Sequence, residues 1–171
     1  RYHPIITHGG DVVNAIPSRV TTESFVRGAN LRVMEKANRK INRAVAASAA
    51  AMGGTVRISD ALGSAPLHND QNLLRLLSAA RARLLPNAPA KTFSEWDMAC
   101  TDMGDLSCAM PTIQIMIGGA AGHGHGRDFQ IENPELACVG SASIQMYMLE
   151  ALLGNGAAEA RRTISESQCE G

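Results

Sequence analysis

Aromatic residues are scarce in this 171-residue chain: three Phe, two Tyr and one Trp, 4% of the total. A protein that grips single strands by stacking bases on aromatic rings needs more of them than that. A surplus of one charge is also missing. Lys plus Arg and Asp plus Glu number 16 each, so the formal net charge is zero and the basic excess of a nucleic-acid binder is absent. No apolar run reads as long enough to cross a bilayer, and the N-terminus has no secretory pattern. These absences set the expectation of neither a nucleic-acid nor a membrane partner. Arg1 stands where an initiator Met would, so a fragment or processed product is expected.

Cysteine is sparse, and the chain is too large and core-rich to need disulfide staples. Cys100, Cys108, Cys138 and Cys169 include no C-x-x-C, and reduced thiols in a cytoplasmic protein fit them better than structural disulfides. There is no H-E-x-x-H, no serine nucleophile elbow and no phosphate-binding P-loop. What the chain does have is core material. Hydrophobic residues at 45% against 19% charged, in a chain of this length, predict a folded protein with one ordinary domain or two small ones.

The organisation expected along the chain is mixed α and β, an α+β or α/β fold. Residues 2–9 read as a strand ending at Gly9-Gly10, and Val20 to Val26 as a second. Asn30 is a suitable cap for a long helix to Met52, with Met34, Ala37, Ile41, Val45 and Ala49 on one face. Gly53-Gly54 stops it, and Thr55 to Ile58 reads as a third strand. Residues 1–60 thus look like the later part of a split β-α-β sandwich lacking an upstream strand and helix. After a linker over residues 61–69, Asp70 or Asn69 caps a helix to Leu84. Residues 92–110 carry no clear pattern, and Thr112 to Ile117 reads as an apolar strand. Asn133 caps a last helix, with Pro134 at its first position, that ends at Gly154 before a polar, frayed tail.

Three groups of residues invite a chemical reading. The loop Gly118-Gly-Ala-Ala-Gly-His-Gly-His-Gly126 joins an apolar strand to a capped helix, where α/β folds gather ligands. Neutral imidazole is the commonest metal ligand, so His123 and His125 are either ligand candidates or solvated residues of a glycine loop. Asn14 and Arg27 could polarise a carbonyl and hold a carboxylate, on neighbouring strands and on one side, or they could be a turn residue and a surface cation. Asp102 and Asp105 could support a site or cap a helix. His68-Asn69-Asp70 has the H-x-D form of many metal sites, but its place at a helix start makes it an N-cap.

Taken in order, four stretches resemble the C-terminal part of the M20 family of metallopeptidases and amidohydrolases. The nearest subgroup contains aminoacyl-amino-acid and aminobenzoyl-glutamate hydrolases. Gly9-Gly-Asp-Val-Val-Asn-Ala-Ile-Pro17 is similar to the family's lid segment, and Arg27 follows at the position of its lid arginine. Thr101-Asp102 resembles the family's acidic T-D segment, and Gly122-His-Gly-His-Gly-Arg-Asp-Phe129 its closing segment with a metal-ligating histidine. The resemblance implies a partial ferredoxin-like lid or dimerisation domain over residues 1–60, and the C-terminal part of an α/β catalytic domain over residues 61–171. It implies His125 as a ligand in a centre of two divalent ions (zinc or manganese), Asn14 as oxyanion stabiliser, Arg27 as carboxylate binder, and Asp102 in support. His123 matches nothing in the family pattern.

The resemblance also implies what is missing. The family's early ligands and its Glu-Glu pair, which supplies the base for the metal-bound water, have no counterpart, because no two glutamates are adjacent anywhere in the chain. One histidine cannot hold two ions. The expectation is therefore an amidohydrolase acting on a small amide or dipeptide-like substrate, with this chain supplying only part of the active site. It would be completed by a homodimer partner or an N-terminal chain. The alternative is a non-catalytic binding or assembly module derived from such an enzyme.

Overall fold

The structure is a computed structural model, and it describes residues 1–88 and 101–167. Cys100, Cys169 and most of the unpatterned stretch before Thr101 lie outside the described residues. The described chain forms two compact units, residues 1–66 and residues 67–88 with 101–167.

The first unit starts with two strands rich in β-branched residues, which suit a pleated surface. β1 (Tyr2–His8) and β2 (Thr21–Val26) pair antiparallel from Tyr2 opposite Val26 to Ile6 opposite Thr22, with an irregularity before His8. The pairing runs one step further, where the Arg27 N–H donates to the Arg1 carbonyl at 2.8 Å. Helix α1 (Leu31–Ala51) begins as expected: the Asn30 side chain accepts from the Val33 N–H at 2.9 Å. Such a cap contributes about 1 kcal/mol. The helix stops where Gly53 turns to positive φ and the Gly54 N–H bonds back to the Ala49 carbonyl at 2.9 Å. Met34, Ala37, Ile41, Val45 and Ala49 form its half-covered stripe, and no α1 residue is fully buried.

The third strand expected over residues 55–58 does not form. Residues 54–70 have no regular secondary structure, and the sheet in this unit is the two-stranded β1–β2 hairpin. A strand needs a neighbour for its backbone groups. Here the segment is held by side chains instead: Asp60 accepts from the Asn38 and Asn42 amides at 2.8 and 2.7 Å.

The second unit is built on two helices. α2 (Gln71–Leu84) is capped by Asp70, whose carboxylate accepts from the Asn72 and Leu73 N–H groups at 2.8 and 3.0 Å. α4 (Ser141–Glu166) follows a π-helical turn over Glu135–Gly140 whose entry is fixed by Asn133, accepting from the Leu136 N–H at 3.0 Å. Leu73 and Ala80 of α2 meet Ile144 and Met148 of α4 in the buried core. Ala80 is completely buried, and its small side chain leaves room for the facing helix. The short helix α3 (Asp102–Ala109) is capped by Thr101, which accepts from the Met103 N–H at 3.3 Å.

Residues 112–117, expected as a strand, run without a ladder. Ile113, Ile115 and Ile117 pack at every second position against the core, as strand residues would. Their backbone, however, bonds to the start of α2: the Asp70 N–H donates to the Thr112 carbonyl at 2.8 Å, and the Gln114 N–H to the Asn69 side chain at 2.9 Å. The only ladder among the described residues of this unit is β3 (Ala120–Ala121) against β4 (Gln130–Ile131), antiparallel.

Two further expectations change at the C-terminal helix. The chain breaks at Gly154 as expected, but Asn155, Gly156 and Ala157 form a left-handed turn, and the helix resumes through Glu166 instead of fraying. Arg162 bridges Glu159 and Glu166 in this last segment, and Thr163 is buried. The helical run Glu135–Glu166 is also, by length and composition, apolar enough to cross a membrane, contrary to the expectation that no segment is. Ile144 and Met148 on it pack against α2.

Candidate functional site

The glycine-histidine segment is the connection of the β3–β4 hairpin. The sequence expectation sets it at the carboxyl end of a longer strand beside a polar cleft. It is instead an ordered, exposed turn between two antiparallel two-residue strands. Its order comes from Asp128. The Asp128 carboxylate meets the His123 ring at Nδ1 (2.7 Å) and accepts from the His123 backbone N–H at 3.3 Å. The chain closes behind this contact, with the Gly126 N–H donating to the His123 carbonyl at 2.7 Å and the Phe129 N–H to the Gly126 carbonyl at 3.3 Å. The hydrogen bond from His123 is the main reason that Asp128 titrates below the ordinary carboxylate range.

His125, the residue that the sequence pattern singles out, occupies the middle of this turn. It is exposed and has a left-handed backbone, φ 65°. Two glycines make the turn possible. Gly122 has φ +91°, and a Cβ there would lie within 3 Å of the Asp128 carbonyl and 2.9 Å from the Phe129 Cα. At Gly126 a Cβ would collide with the Asp128 carboxylate and lie 2.9 Å from the His123 carbonyl oxygen.

The other candidates are placed apart from one another. Asn14 lies in an exposed turn within the β1–β2 connection, not on a strand. Arg27 is at the open end of the hairpin, opposite the Arg1 carbonyl, with its guanidinium 5.8 Å from the Phe25 ring centre. β1 spans seven residues, so the strands separate the two ends by about 20 Å. The expected placement on neighbouring strands therefore does not hold for Asn14, because residues 9–20 are a connection and not a continuation of the ladder. Asp102 is the exposed first residue of α3. In the T-D pair the threonine makes the tertiary contact, since the Thr101 hydroxyl donates to the Gln114 side chain at 3.0 Å.

A second feature is a cleft of about 400 Å³ beside the α2 N-terminus, lined by His68, Asp70, Arg75, Ser107 and Glu166 among others. Two of its polar side chains are engaged with backbone. Asp70 caps α2, and Ser107 donates to the Gly104 carbonyl at 2.6 Å while accepting from the His68 backbone N–H at 3.1 Å. Ser107 is thus bound to backbone, and H-x-D acts as the cap that the sequence implies.

Among the described residues, no three His, Cys, Asp or Glu side chains converge as a metal-binding group. The donors among the described residues therefore do not converge as a two-ion centre would require. Comparison with known proteins finds no matching family model, curated protein or solved structure. Sequence reasoning named His123 but missed Asp128, which forms with it the best-defined polar pair in the loop. The available signal was a histidine and an aspartate five apart, with two glycines among the four residues between them, a spacing that allows a closed turn.

Proposed function

We propose that this chain is part of an M20-like metal-dependent amidohydrolase that cleaves N-acyl amino acids or small dipeptide-like amides, and that it supplies only a portion of the active site. The observation that carries the reading is the order of its motifs: the Gly9 to Pro17 segment, Arg27, Thr101-Asp102, and Gly122 to Phe129. In this reading Arg27 binds the substrate carboxylate, Asn14 donates to the carbonyl oxygen, Asp102 supports the site and His125 presents one imidazole to a zinc or manganese ion. No catalytic step is assigned to this chain alone.

The first unit supports the need for a partner. Ile5, Ile6 and Phe25 on the hairpin are 62, 69 and 67% exposed, and among the described residues no further strand pairs with either outer edge. Such a hairpin is marginal in water on its own. A homodimer partner or a complementing N-terminal chain would cover it. The missing early ligands and Glu-Glu pair favour a second reading, a non-catalytic assembly module. Zinc and manganese titration, together with turnover of an aminobenzoyl-glutamate or N-acyl amino acid substrate, separates the two. The chain alone should be inactive, and should gain metal and activity when combined with a chain carrying the early ligands and the Glu-Glu pair. Metal-dependent turnover by the isolated chain would overturn the partial-site reading. A combined protein that assembles yet takes up no metal would favour the assembly module.

A further inference from the structure

Of the two imidazoles in the loop over residues 122–129, the family pattern uses His125 and leaves His123 without a role. The geometry points to one. A carboxylate can only accept hydrogen bonds, so the Asp128 contact at 2.7 Å requires the proton of the His123 ring to sit on Nδ1. In the neutral ring, Nε2 is then an unprotonated lone pair, and with the side chain 90% exposed nothing covers it. Asp128 also accepts from the His123 backbone N–H, so one carboxylate fixes both the main chain and the ring of the same residue. Gly126 leaves room for that carboxylate and closes the turn onto the His123 carbonyl. His125 sits between these anchors at φ 65°, a conformation that non-glycine residues seldom adopt and that persists only where its surroundings over-determine it.

We propose that Asp128 is the positioning residue of this loop. It locks His123 in the Nδ1–H tautomer, presents Nε2 outward as a ready nitrogen acceptor, and holds His125 in its left-handed conformation. The proposal deepens the reading of this loop as part of a ligand site. Its core claim, however, is a tautomer, which exists with or without amidase activity.

The test is nitrogen-15 NMR of histidine-labelled protein at about pH 8.5, two units above the ordinary imidazole pKa of about 6.5. His3 and His8, exposed on β1, serve as internal references. His123 should show a protonated Nδ1 and a bare Nε2, unlike the references. Asp128→Ala should shift it to the reference mixture and abolish the exchange protection of the His123 amide. Asp128→Asn, which keeps an acceptor, should restore part of both. Amides of α2 and α4 report whether either variant has unfolded. If they have, the wild-type tautomer alone decides. Loss of amidase activity in every assembly tried would leave the tautomer result standing and count against the enzyme reading instead. A wild-type His123 indistinguishable from His3 and His8, or one unchanged by Asp128→Ala in a folded protein, would overturn the proposal.

Discussion

Gly122→Ala is the sharpest perturbation of the candidate site. At φ +91° an alanine is strained whatever the space around it, and the left-handed region costs an L-residue about 1–2 kcal/mol. The new methyl would also meet the Asp128 carbonyl and the Phe129 Cα inside normal contact distance, and such overpacking costs about 1–3 kcal/mol more. The sum, about 2–5 kcal/mol, is more than an exposed hairpin turn can absorb while staying closed. The loop should therefore open locally, and the core should not unfold with it. Hydrogen exchange reads this directly. Protection of the His123, Gly126 and Phe129 amides, each a donor within the turn, should collapse, while amides of α2 and α4 keep theirs. Gly124→Ala is the matched control: its Cβ would meet nothing within 4 Å and its φ is not positive, so it should be silent. Unchanged loop exchange in Gly122→Ala, or equal loss in both variants, would refute the assignment of the turn to glycine geometry and Asp128.

Three further outcomes follow from the same structure. Ile144→Ala empties a site that is 2% exposed between α2 and α4, and should cost about 2–5 kcal/mol in urea unfolding; a loss under 1 kcal/mol would mean that this helix pair is not the core. Ala157→Gly relieves a residue at φ 60° in the left-handed break of α4 and should raise thermal stability by about 0.5–1 kcal/mol, whereas destabilisation would argue against that turn. The Asp128 pKa is depressed, so its contribution to loop order is complete above the ordinary Asp value of about 3.9 and disappears as pH falls through the lower folded value; an acid transition of the His123 amide shift centred at or above the ordinary value would contradict the contact.

Helix caps and stops were legible in the residues, because they are set by neighbours in the chain. Asn30 and Asp70 cap helices where a short polar side chain precedes an apolar stripe. Gly53 ends α1 at positive φ, a conformation that side chains resist, and Gly154 opens the break in α4 with extended backbone just before the left-handed turn. Tertiary structure decided whether extended segments became strands. Residues 55–58 and 112–117 have strand composition, but a ladder depends on a partner that composition does not encode. Asp60 tethers the first segment to Asn38 and Asn42, and the start of α2 takes the backbone of the second. The same holds at the candidate site. Residue types made His125, Asn14 and Arg27 visible, yet only folding set Asn14 in a connection and Arg27 at the far end of its hairpin. Folding also brought Asp128 onto His123, because two glycines let the chain turn tightly enough for one carboxylate to reach both the backbone and the ring.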